Sequence, residues 1–151
     1  MNFPWPVVLV LGVAACGASS SPKASYPLPG ASAQACGPRV LSRLYFGLGS
    51  PEGPIAPAAF QAFVDEVVTP RFPDGLTLLA ADGQWRGKEG KTEREGSRVL
   101  ELVHEASAEV DQKLVQIVTL YKQRFHQESV LVVRHEATAC FAAAKAPALL
   151  R

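Results

Sequence analysis

Two stretches of this chain each carry one apolar stripe at helical spacing, and short strand-like runs stand before, between and after them. Phe60, Phe63, Val64, Val67 and Val68 form the first stripe, and Leu114, Ile117, Val118, Tyr121 and Phe125 form the second. A stripe of that width has to be buried against another surface. Residues 40–48, 76–80, 99–104 and 129–136 are rich in strand formers and supply it. Pro57 suits a first helical turn, and Pro70 and Pro73 close that helix. Ser107 can cap the second helix, whose first turn holds Glu109 and Asp111. Asp82-Gly83 reads as a tight turn with Gln84, Trp85 and Arg86 returning from it, and residues 88–96 read as a loop.

The order is strand, helix, strand pair, strand, helix, strand. Two helices against one face of an antiparallel sheet bury both stripes economically. The expected fold is therefore α+β, a ferredoxin-like βαββαβ domain over residues 39–136, with residues 137–151 as a weakly determined tail. In the usual sheet order 4-1-3-2, the last strand lies antiparallel beside the first. Cys36 and Cys140 stand just outside the two ends that this arrangement brings together. A structural disulfide is the expectation. A redox-active thiol or a metal pair is the alternative, but there is no Cys-x-x-Cys spacing and Arg39 is the one basic neighbour.

Residues 1–15 read as an export signal. The apolar run 7–15 is nine residues long, far short of the ~20 that span a bilayer, and Val13-Ala14-Ala15-Cys16 places small residues before a cysteine. The pattern resembles bacterial lipoprotein signals, although residues 2–6 lack Lys and Arg. That resemblance implies acylation of Cys16 and a membrane partner. With Gly17 rather than Asp following, it also implies the periplasmic face of the outer membrane where one is present. Residues 16–38 are mostly Gly, Ala, Ser and Pro and read as a flexible tether. Export to an oxidising compartment agrees with paired cysteines.

The remaining ~110 residues suit one compact domain. Net charge is +1 and charged residues are 19% of the chain, which offers no electrostatic footprint for nucleic acid. Leu44-Tyr45-Phe46-Gly47-Leu48 looks like a base-stacking strand, but its expected neighbour, residues 98–104, holds no aromatic.

Several runs taken together point to a family. They are Leu44-Tyr45-Phe46-Gly47; Thr69-Pro70-Arg71-Phe72-Pro73-Asp74-Gly75-Leu76-Thr77; Gly83-Gln84-Trp85-Arg86; and residues 121–125 followed by Gln127-Glu128-Ser129-Val130-Leu131. Residues 39–133 thus resemble a family of small exported bacterial proteins known as domain of unknown function 3574. The resemblance implies an exported domain and carries no catalytic residue with it.

No catalytic residue, cofactor or metal is expected from the residues themselves. Gly47-x-Gly49 could suggest a phosphate cradle, but Pro51, Pro54 and Pro57 remove backbone donors. His104-Glu105 and His135-Glu136 each end a strand on one sheet edge, about 10 Å apart, and read as exposed strand ends rather than a zinc site. Strand alternation puts Arg43, Tyr45 and Glu101 on the open sheet face, as an ion pair or as the polar floor of a binding surface. Asp74, Trp85 and Arg86 stand near expected turns, where they either anchor a partner or cover the core edge.

Two classes of function follow. The favoured one is a non-catalytic envelope lipoprotein whose domain binds an unknown protein or small molecule through a half-polar open sheet. The other is a small enzyme or ligand-binding protein formed when two such sheets pack face to face. That dimeric α+β barrel architecture resembles small oxygenases.

Overall fold

The computed structural model describes residues 36–86 and 90–141. The expected signal, most of the expected tether, Cys16, and residues 142–151 of the expected tail lie outside them. The elements are β1 (Cys36–Gly47), α1 (Pro57–Phe63) continuing as a π-helical segment (Val64–Val68), β2 (Thr77–Arg86), β3 (Thr92–His104), α2 (Ala108–Arg124) and β4 (Leu131–Cys140). The four strands form one antiparallel sheet in the order β2-β3-β1-β4. The expected α+β, ferredoxin-like arrangement is the one observed.

Both helical stripes face the sheet. Phe60, Phe63, Val64 and Val68 meet Leu114, Ile117 and Tyr121 over Leu44, Phe46, Leu100 and Leu102. Phe46 is the hub of an aromatic cluster, with ring centroids 4.4 Å from Tyr121, 5.8 Å from Phe60 and 6.1 Å from Phe63. Each such side chain taken fully from water contributes about 2–3 kcal/mol, so these rings hold the two helices to β1. Ser107 caps α2 by accepting from Val110 N at 3.2 Å, with Glu109 and Asp111 in the first turn. Arg124 and Arg71 tie the two helical segments to each other. Arg124 pairs with Glu66 of the π-helical segment at 2.5 Å, and Arg71 reaches Gln116 of α2 at 3.0 Å.

The cysteines meet as expected, with Cys36 opposite Cys140 in the β1–β4 ladder and the two joined by a disulfide. The ladder extends the sheet past the expected domain boundaries, to residue 36 on one side and residue 140 on the other.

The β2–β3 hairpin differs from the expectation. Asp82-Gly83 makes no turn. The strand runs through it to Arg86, and residues 92–96 are strand rather than loop, paired from Asp82↔Gly96 to Arg86↔Thr92. The reason is solvent. β1 stops pairing with β3 at Gly47↔Ser97, so the far end of the hairpin stands clear of the core. Both its faces can then be polar, and the alternation that marks a half-buried strand is missing.

Candidate functional site

The helices cover one face of the sheet, and the register places on the other face Leu41, Arg43 and Tyr45 of β1, Val99, Glu101 and Val103 of β3, Thr77 and Leu79 of β2, and Leu131 and Val133 of β4. Arg43 lies directly opposite Glu101 and donates from Nε to Glu101 Oε2 at 2.7 Å. That hydrogen bond first, and the carboxylate charge second, hold the guanidinium pKa above its ordinary value. Tyr45 stands in the next row, opposite Val99 and Leu131. The grouping of Arg43, Tyr45 and Glu101 expected from strand alternation is therefore present.

The surroundings are more apolar than the half-polar face expected. Leu79 is 48% exposed, Val103 49%, Leu131 60% and Trp85 43%, and all four lie on this face.

The other expected surface residues are not brought together. Trp85 is on the open face near the far end of β2, and Arg86 points to the opposite side of the ribbon. Asp74 lies in the loop before β2, where Gly75 takes φ +144° to turn the chain. The length of β2 separates Asp74 from Trp85, because the turn expected at Asp82-Gly83 does not fold the strand back.

The corner between the free end of the hairpin, the loop after β1 and the turn after α2 encloses an open cavity of about 820 Å³. Tyr45, Trp85 and Leu131 give it apolar walls, and Glu93 and Glu95 give it carboxylates. Glu95 is the best-placed of these. Its Oε2 accepts from Gly49 N at 2.6 Å, and a Cβ on Gly49 would stand 2.5 Å from that oxygen. The Gly47-x-Gly49 loop is thus shaped around a carboxylate of the chain itself, which takes the backbone donor that a phosphate would need. Beside it, Tyr121 donates its hydroxyl to Gly47 O at 2.8 Å. Burial, and then the charge of Glu95, push that phenol's pKa well above the ordinary value. Gln127 closes the corner by donating to Gly49 O.

Sequence reasoning missed Glu95 and Glu93 because they fall in the segment read as a loop. It also placed His104 wrongly. His104 is 8% exposed. Its Nδ1 donates to Glu105 O, leaving Nε2 to accept from Ser42 Oγ, each at 2.8 Å. His135 pairs with Leu41 on the open face, whereas His104 pairs with Val40 on the helix side. The two imidazoles therefore face opposite sides of the sheet and are not brought together. The Ser42–His104 contact has the form of an activated hydroxyl, but Ser42 is 0% exposed and no substrate can reach it in this conformation.

A family model described as a protein of unknown function (DUF3574) matches residues 41–141. The chain belongs to the DUF3574 family. Within the match lie the Arg43–Glu101 pair, Glu95 and every cavity residue named above. No curated protein matches the chain. Among solved structures it is similar to a phage SAM lyase in complex with S-methyl-5'-thioadenosine. The TM-score is 0.54 at 17% identity, covering 70% of this chain and 90% of that one. The same lyase in its apo state gives 0.52 at 16% identity, covering 72% and 93%. At that identity the likeness is one of fold.

Proposed function

We propose that this DUF3574 chain is an exported, lipid-anchored envelope protein whose domain binds a small molecule without transforming it. The lipoprotein-like run ending in Cys16 supports the address. The observation that carries the binding reading is the cavity beside Tyr45, Trp85 and Glu95. Its size falls within the range of small-molecule sites. Glu93 and Glu95 have no cationic partner among the described residues, and two aromatic rings stand with them. Carboxylates beside aromatic faces suit an organic cation on an apolar body, since both the charge and the ring quadrupoles attract it.

Trp85 supplies the readout. The chain has two tryptophans, and the other, Trp5, lies in the expected signal, so fluorescence of the chain from residue 16 onward reports on the cavity. Titration with benzyltrimethylammonium is expected to give a saturable change, weakened by Glu95→Gln and by added salt. Absence of saturation, or binding indifferent to Glu95→Gln, would sink the reading.

A second reading makes the chain a small enzyme acting on a nucleoside-bearing substrate. The similar phage SAM lyase, solved with S-methyl-5'-thioadenosine, favours it. Titration with S-methyl-5'-thioadenosine tests it directly. Tight binding of that neutral compound, with no response to the cation, would favour the enzyme over the binding protein.

A further inference from the structure

The open sheet face has a symmetry in its chemistry that the cavity does not explain. Across the four strands, in the order β2, β3, β1, β4, one row reads Leu79, Val99, Tyr45, Leu131. The next reads Thr77, Glu101, Arg43, Val133, and beyond it Val103 stands opposite Leu41 and His135. Apart from the central charges and Thr77, the first two rows are apolar. β3 carries Val99, Leu100, Leu102 and Val103 in one short run, so it is apolar on both faces. On the open face Val99 is already buried, at 6% exposed, but Val103 is 49% exposed, and apolar surface of that kind gains from being covered. The helices cover only the other face.

We propose that a second copy of this chain covers the open face, through a two-fold axis running along the strands between β1 and β3. Such an axis lays β1 over the partner's β3, and β2 over the partner's β4. Arg43 then faces the partner's Glu101, and Glu101 faces the partner's Arg43. Leu79 meets the partner's Leu131, Tyr45 the partner's Val99, and Leu41 the partner's Val103. Every charge in these rows meets its opposite and each of these apolar residues meets another. An axis across the strands would instead stack like charges on one another.

The footprint is sufficient. A four-stranded face of this length covers roughly 550 Å², so a pair of copies buries about 1,100 Å², above the ~1,000 Å² that marks a specific interface. Because the axis follows the strands, both cavities come to the same end of the interface. Tyr45 and Leu131, which line each cavity, then lie in the interface.

Leu79 and Leu131 give the test, since both are exposed on edge strands and the fold does not depend on them. Light scattering of the chain from residue 16 onward, carrying Cys16→Ser, is expected to give twice the single-chain mass. Leu79→Asp alone and Leu131→Lys alone are each expected to halve it. An equimolar mixture of the two variants is expected to restore it, because the carboxylate introduced in one copy would face the ammonium introduced in the other. A single-chain mass for the unsubstituted protein overturns the proposal and leaves the face to a different partner. A dimer that survives both substitutions overturns the choice of face. Variants that stay monomeric when mixed overturn the axis. The cation titration can fail while the dimer stands, so the two readings fall separately.

Discussion

Ser42 Oγ donates to His104 Nε2 across 2.8 Å between the two central strands, on the helix side of the sheet and out of reach of solvent. His104 Nδ1 is already committed to the Glu105 carbonyl at 2.8 Å. With one ring nitrogen donating, the other must find a donor, and among the described residues the hydrogen bonds place Ser42 there. Ser42→Ala removes that donor and strands a buried acceptor, which costs about 1–3 kcal/mol. Chemical denaturation should show a lower midpoint with an unchanged slope. A variant as stable as the parent would mean that water or another group satisfies His104.

The disulfide closes a sequence separation of 104 residues. Linking the chain over such a span restricts the unfolded ensemble strongly, and removing a native disulfide from a small domain costs about 2–5 kcal/mol. The paired substitution Cys36→Ser with Cys140→Ser is expected to lower Tm clearly while leaving the far-ultraviolet spectrum intact. The helices and the β1–β3 ladder do not depend on the bridge. Collapse of the spectrum would show that the β1–β4 pairing nucleates the sheet.

This bridge also shows what was legible in the sequence. The two apolar stripes, Pro57 and the Ser107 cap marked the helices, and their order with the strands led to the sheet order that sets Cys36 beside Cys140. Alternation put Arg43 opposite Glu101 because Leu44 and Leu102 are unmistakably interior. The same rule failed where no interior exists. Residues 92–96 pair with residues 82–86 beyond the end of β1, so nothing selects apolar side chains there and the ribbon read as a loop. Glu95 was lost with it. His104 was misplaced for another reason: a polar residue at a strand end reads as exposed unless its partner is known, and Ser42 is 62 positions away.

Tyr121 makes the alkaline limb of stability specific. Its phenol is buried, donates to Gly47 O and stands near Glu95, so its pKa is raised in the folded chain. The folded state therefore holds this proton more tightly than the unfolded state, whose tyrosine titrates near the ordinary value of about 10. The stability from this group is complete below that pH and drains away as pH rises above it. Tyr121→Phe is expected to flatten the fall in stability above pH ~10, while costing about 1 kcal/mol at neutral pH for the lost hydrogen bond. Denaturation curves at neutral and alkaline pH would check both. An unchanged alkaline slope would mean that Tyr121 ionises freely in the folded protein.

Gly49 and Glu95 form a unit whose coupling can be measured. Gly49 does not adopt positive φ, so alanine there meets no backbone strain. Its Cβ would stand 2.5 Å from Glu95 Oε2 and force that carboxylate off the Gly49 N–H. Gly49→Ala should therefore destabilise the parent by about 1–2 kcal/mol, chiefly through the lost charge-assisted hydrogen bond. In a Glu95→Ala background the same change has nothing to displace, and its cost should fall to a few tenths of a kcal/mol. A double-mutant cycle by denaturation reads the difference. Equal costs in the two backgrounds would show that the loop excludes side chains for its own packing, and that Glu95 only fills a gap already present. Coupling would show that the carboxylate shapes the loop, and so fixes the charge that the cavity presents to whatever enters it.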